Sequence, residues 1–149
     1  MTAKEYLRII RSIKHRIKKL DEEIAQEQKE YNCLQGIDYA KDKVDGGELA
    51  DLSAKISQKE KVIGKLNAQR RRLHELREEA RERINAIQDY DVQTFLIDYS
   101  IIAKPLWLLP KVLHLTRSGT NKRIRKAEKC FDAIYGEWLS EIDVADLFL

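Results

Sequence analysis

Arg117, Ser118, Asn121, Lys122 and Arg125 are the side chains of this chain best suited to reading another molecule. On a helix, residues three and four apart are neighbours, so this spacing gathers them on one side. Arginine pairs with guanine edges and asparagine with adenine edges in the DNA major groove. Lys111, Lys126 and Lys129 are placed for phosphate oxygens. The predicted chemistry is recognition of double-stranded DNA through hydrogen bonds and ion pairs. Residues 104–129 hold eight Lys/Arg and a single acid, Glu128. Binding driven by such a segment should weaken steeply with salt, through counterion release.

Other chemistry finds little support. His15, His74 and His114 are isolated, and none pairs at ligand spacing with Cys, Asp or Glu in a way that rises above chance. Cys33 and Cys130 fit no CxxC or Cys/His pattern and are expected to be free, buried thiols. There is no glycine-rich phosphate loop and no GxSxG. The expectation is a protein that is not an enzyme and uses neither metal nor cofactor.

The reading face needs elements to hold it. Leu106, Leu109 and Leu113 mark a short helix, His114-Leu115 a turn, and Thr116 an N-cap for a second helix. That second helix turns Thr120, Ile124, Ala127 and Phe131 inward, which leaves the five reading residues outside. A short apolar helix supporting a basic one is a helix-turn-helix layout. Pro110 should kink or restart the supporting helix, and Gly119 costs about 1 kcal/mol against alanine. Upstream, Asp91 is the expected cap of a helix that buries Val92, Phe95, Leu96, Tyr99 and Ile102 and ends at Lys104-Pro105. The plainer reading is a basic amphipathic helix that packs on its neighbours without binding DNA.

The first ninety residues carry two seams with steps of three and four. One runs Tyr6, Ile10, Ile13, Ile17, Leu20, Ile24, Glu27, Tyr31, Leu34, with Thr2 and Glu5 as a capping box at its start. The other runs Leu49, Leu52, Ile56, Lys59, Ile63, Leu66, Arg70, Leu73, Arg77, Ala80, Ile84, Ile87, with three charged positions. Between them QGIDYAKDKVDGG lacks a period and reads as a connector at about 35–48. The predicted fold is all-α: a long antiparallel coiled-coil helical hairpin over 1–89, followed by a small helix-turn-helix-like C-terminal bundle over 90–149. Two helices bury one stripe each, so the hairpin should recruit a second copy or a third helix, and a homodimer is expected. With 20 basic and 17 acidic residues, positions 1–90 read as an ion-paired, solvated surface.

Residues 130–149 reverse the charge, with five acids and no Lys or Arg. Tyr135, Trp138, Leu139, Ile142 and Leu149 suggest an apolar stripe that completes the C-terminal core, plugs the basic helix or docks on RNA polymerase or another protein. The most apolar window, Phe95 to Leu115, is broken by Asp98, Lys104, Pro105, Pro110 and Lys111, which argues against a membrane span. The N-terminus alternates acids and bases, unlike a signal peptide, and a cytoplasmic protein is expected.

The opening MTAKEYL, the heptad helix behind it and the connector IDYAKDKV resemble a family of small phage and prophage proteins of Gram-positive bacteria. In layout the chain is similar to the ArpU and RinA groups of phage transcriptional regulators. Its C-terminal part resembles region four of sigma-70 factors through Leu106/Trp107, Leu109, Leu113, Thr116, Thr120 and Ala127. It departs from that pattern at Pro110 and Thr120. The resemblance implies a regulator of late phage genes, acting in the host cell, with Thr116 capping its recognition helix. The alternative is a coiled-coil adaptor or inhibitor that engages a host or phage protein and does not bind DNA.

Overall fold

The computed structural model describes residues 1–40 and 46–149, the side chains of 37–49 excepted. Every regular element among them is a helix: α1 (Ala3–Ala40), α2 (Gly46–Asn85), α3 (Tyr90–Leu96) continued by a π-helical turn (Ile97–Ile101), α4 (Leu109–Leu113), α5 (Arg117–Ser140) and α6 (Val144–Leu147). The centre of the expected connector lies outside the described residues. Its flanks do not: α1 continues to Ala40 and α2 begins at Gly46. No helix among the described residues is long and apolar enough to cross a membrane.

The chain divides into two compact units, Met1–Arg16 with Leu73–Leu149, and Ile17–Arg72. The division falls inside both α1 and α2, whereas the sequence suggested a boundary at residue 90.

In Ile17–Arg72 the two helices run antiparallel, since partners rise in one as they fall in the other. Arg70 Nε meets Asp21 Oδ1 at 2.8 Å, and Tyr31 Oη donates to Glu60 Oε1 at 3.0 Å. Two charged seam positions find each other: Lys59 Nζ donates to Glu27 Oε2 at 2.7 Å and also bonds Glu30. The Lys59 ammonium holds the Glu30 carboxyl below the usual 4.5, and both carboxylates hold Lys59 above its usual 10.5. Burial here is shallow. Ile17 and Leu20 are buried, but Ile24, Leu34, Leu52, Ile56, Ile63 and Leu66 are only half-buried. Cys33, expected to be buried, is exposed, because it stands just outside the seam between Tyr31 and Leu34.

The unit Met1–Arg16 with Leu73–Leu149 holds the core. The capping box that starts α1 is formed, with Thr2 N–H donating to Glu5 Oε2 at 2.8 Å and Glu5 N–H to Thr2 Oγ1 at 3.2 Å. Tyr6, Leu7, Ile10 and Ile13 of α1 and Leu76, Ala80 and Ile84 of α2 are almost fully buried, and α5 packs on both helices, with Phe131 against Tyr6 and Tyr135 Oη donating to Arg83 O at 2.7 Å. Here the hairpin has found its third helix. Tyr6 stacks on Phe131 with ring centroids 5.4 Å apart and meets Trp138 edge-on at 5.5 Å. Arg83 lies 4.0 Å over Trp138 and donates to Tyr6 Oη at 3.0 Å.

Three local expectations change. The cap of α3 is Asp89, not Asp91: its Oδ1 accepts from the N–H of Asp91 and Val92. Ile101 is buried in place of Ile102, because the π turn stacks residues five apart and sets Ile101 over Leu96. Ile102 N–H bonds Ile97 O at 2.9 Å and its side chain is exposed. Finally, Leu106 lies outside α4 and is exposed. Pro110 has no N–H to return to Leu106, so the helix restarts at Leu109 with the proline in its first turn.

The first half of the tail is not a separate element, and only the short α6 stands apart from α5. α5 runs unbroken from Arg117 to Ser140, so residues 131–140 extend the basic helix and cannot fold over it as a plug. Phe131, Leu139 and Leu147 enter the core, and Phe148 lies under Arg16, 5.1 Å from its guanidinium. Completion of the core, the plainest of the three readings, is what is built. Leu149 stays outside it.

Candidate nucleic-acid interface

α5 is set in place from both ends. At its start Thr116, in extended conformation, accepts the Gly119 N–H on Oγ1 at 2.9 Å. A Cβ on Gly119 would stand 3.2 Å from that same oxygen and 3.6 Å from Leu115 Cβ, so the first turn has little space for a larger residue. The turn from α4 is made by His114 in the left-handed region, φ 54°. Inward, Thr120, Ala127 and Phe131 are buried and Ile124 half-buried, as the spacing predicts. Thr120 Oγ1 donates to Thr116 O at 3.0 Å, which satisfies a hydroxyl placed where an aliphatic side chain would otherwise sit.

All eight residues expected to meet DNA are exposed: Lys111, Arg117, Ser118, Asn121, Lys122, Arg125, Lys126 and Lys129. They do not form one face. At about 100° per residue, Ser118, Lys122, Arg125 and Lys129 run along the crest of α5, opposite the buried stripe. Asn121 and Arg125 lean toward α1, where they line a groove with Lys4, Arg8 and Arg11. Lys126 lies on the other flank, with Arg123, near Asp91 and Phe95 of α3. Arg117 stands in the first turn of α5, which carries no acid. Lys111 lies apart on α4, its ammonium 5.5 Å from the exposed ring of Trp107.

The charges on this surface are uncompensated. None of Arg117, Lys122, Arg125, Lys126 and Lys129 forms an ion pair among the described residues. In the hairpin Lys19, Lys55, Lys59, Arg70, Arg81 and Arg83 each have a carboxylate within 4.0 Å, whereas Lys4 and Arg8 have none among the described residues. The positive end of the α5 dipole adds to the potential at Arg117 and Ser118.

No family model, curated protein or solved structure matches the chain.

Two features of the surface escape a reading of the sequence. Lys4 and Arg8 belong to a helix whose charges look balanced, and only the fold brings them beside α5. Their spacing with Arg11 (4, 8, 11) is a basic stripe, and it is the one signal that points to them. The loop after the π turn exposes Ile102, Leu106 and Trp107, and α4 exposes Val112, with Trp107 68% accessible. The spacing of Leu106, Leu109 and Leu113 predicts Leu106 in the short supporting helix, which instead begins at Leu109. Among the described residues, no cluster of three or more His, Cys, Asp or Glu is placed to hold a metal ion.

Proposed function

We infer that this chain is a DNA-binding regulator that lays the crest of α5 on a duplex. The observation that carries the reading is the row of exposed cations Arg117, Lys122, Arg125, Lys126 and Lys129, none of which has a carboxylate partner among the described residues. Unpaired surface cations keep their full potential for phosphates and need lose no partner on binding. Arg125 and Asn121 supply base-edge chemistry, and Lys122, Lys126 and Lys129 supply phosphate contacts. The segments MTAKEYL and IDYAKDKV support a phage regulator acting in the host cytoplasm. A second copy is part of the reading: the shallow burial of Ile24, Ile56 and Ile63 leaves a seam that a homodimer would cover.

Fluorescence anisotropy against promoter-region and random duplexes at two salt concentrations tests it. The expected result is salt-sensitive binding that Lys122→Ala/Arg125→Ala abolishes, with a preference among duplexes. Absence of binding by the intact chain removes the reading.

The adaptor remains as a second reading because of the exposed Leu106, Trp107 and Val112. Exposed apolar side chains on and beside the loop before α4 suit a protein partner such as RNA polymerase or another host or phage protein. Retained partner capture by Lys122→Ala/Arg125→Ala, lost in Trp107→Ala, favours it.

A further inference from the structure

The groove between the start of α1 and α5 has a composition that neither helix shows alone. Lys4, Arg8 and Arg11 line one side, Asn121 and Arg125 the other, and the open volume is about 510 Å³. Lys4 and Arg8 are exposed and form no ion pair among the described residues. They stand four apart on one helix, so their side chains rise on the same face. Arg11 is different. Its guanidinium lies 4.8 Å over the Tyr99 ring and donates to the carbonyls of Tyr99 and Lys104, the latter at 2.6 Å. It anchors the floor, while Lys4, Arg8 and Arg125 keep free donors. Glu128 is the one acid lining the groove, against four cations.

We propose that this groove is a phosphate clamp: Lys4 and Arg8 of α1 hold the phosphodiester backbone of the duplex whose base edges Asn121 and Arg125, across the groove on α5, read. The proposal rests on the DNA-binding reading and deepens it. Arg125 belongs to both the crest and the groove, so a strand lying along the crest passes the mouth of the clamp. Contacts of this kind carry no sequence information. They fix the register and angle at which α5 meets the bases. Guanidinium groups suit this role because their forked donors match phosphate oxygens in pairs. Glu128 tempers the groove and discourages occupancy by a small free anion alone.

The test compares Lys4→Ala/Arg8→Ala with Lys122→Ala/Lys129→Ala, which alters the crest and leaves the groove intact. Duplex affinity is measured by anisotropy across a salt series, with thermal melts confirming that both variants fold. For Lys4→Ala/Arg8→Ala the slope of log affinity against log salt should fall by about 1.8, from two lost phosphate contacts. Discrimination between duplexes should stay unchanged. Glu128→Gln should tighten binding, which a merely structural role for the groove would not predict. An unchanged slope in Lys4→Ala/Arg8→Ala, with weakened binding in the crest variant, overturns the clamp and leaves the DNA reading standing. Intact protein that binds no duplex overturns both. A lost slope in the groove variant with an indifferent crest variant upholds the clamp and overturns the assignment of α5 as the reading element.

Discussion

Single residues decide whether α5 points where it does. Thr116 supplies the oxygen that closes the first turn, so Thr116→Ala should lower stability by about 1 kcal/mol and Thr116→Ser should recover most of it, read from chemical denaturation. His114 makes the preceding turn with φ 54°, a region that costs a side-chain-bearing residue about 1 kcal/mol. His114→Gly should therefore be tolerated, while His114→Val should destabilise measurably in the same assay. Titrating groups set the limits of pH. Glu30 is held low chiefly by Lys59, and Glu5 chiefly by the Thr2 N–H, so their stabilisation is present above 4.5 and lost as pH falls through their lowered values. Lys59 is held high by Glu27 and Glu30, and Tyr6 is raised by burial. What they contribute is complete below their ordinary 10.5 and 10.0 and is lost as pH climbs past those values. The melting temperature should hence show a plateau between about pH 5 and pH 10, with a decline on either side.

At the scale of elements, periodicity carried most of the information. The seams of α1 and α2 were legible because apolar residues recur every three or four positions, and a helix can bury such a stripe in only one way. The charged interruptions Glu27, Lys59, Arg70 and Arg77 looked like weaknesses, yet each has a partner: Lys59 for Glu27, Asp21 for Arg70, and the carbonyl of Ile101 for Arg77. Polar pairs within an apolar seam penalise any shifted alignment. Glu27→Lys should lower the melting temperature, and Glu27→Lys/Lys59→Glu should restore much of it. Failure of the swap to rescue would remove the idea that this pair sets the register. Other elements were hidden for physical reasons. The π turn changes the period without a sequence mark, which misplaced Ile102. The reversal of charge at residue 130 suggested a break, but a helix follows backbone propensity and its buried stripe, and Phe131, Tyr135 and Leu139 continue that stripe across the reversal. The exposed side of α5 was legible from the same spacing. The partnership of Asn121 and Arg125 with Lys4 and Arg8 was not, because it depends on how α1 and α5 meet.

For the whole molecule, the two compact units differ in how they are sustained. Met1–Arg16 with Leu73–Leu149 has an aromatic cluster and nearly inaccessible side chains. Ile17–Arg72 has a half-buried seam and ion pairs. The proposed second copy would add stability to such a hairpin. Light scattering at micromolar concentration should give the mass of a dimer, and the melting temperature should rise with protein concentration. A monomer whose melting is independent of concentration would remove the second copy from the model.

Tyr6 reaches its stacking partner only at Phe131, 125 residues later in the chain. At a synthesis rate of about 5–20 residues per second, the first helix waits roughly 6 to 25 s on the ribosome before that ring exists. Over the same interval the stretch from Ile17 to Arg72 can pair with itself. Assembly thus has a built-in order, with the pairing of Ile17–Arg72 early and the packing of α5 on α1 late. An apolar face carrying Leu7, Ile10 and Ile13 stays uncovered in between, open to chaperones or to neighbouring nascent chains.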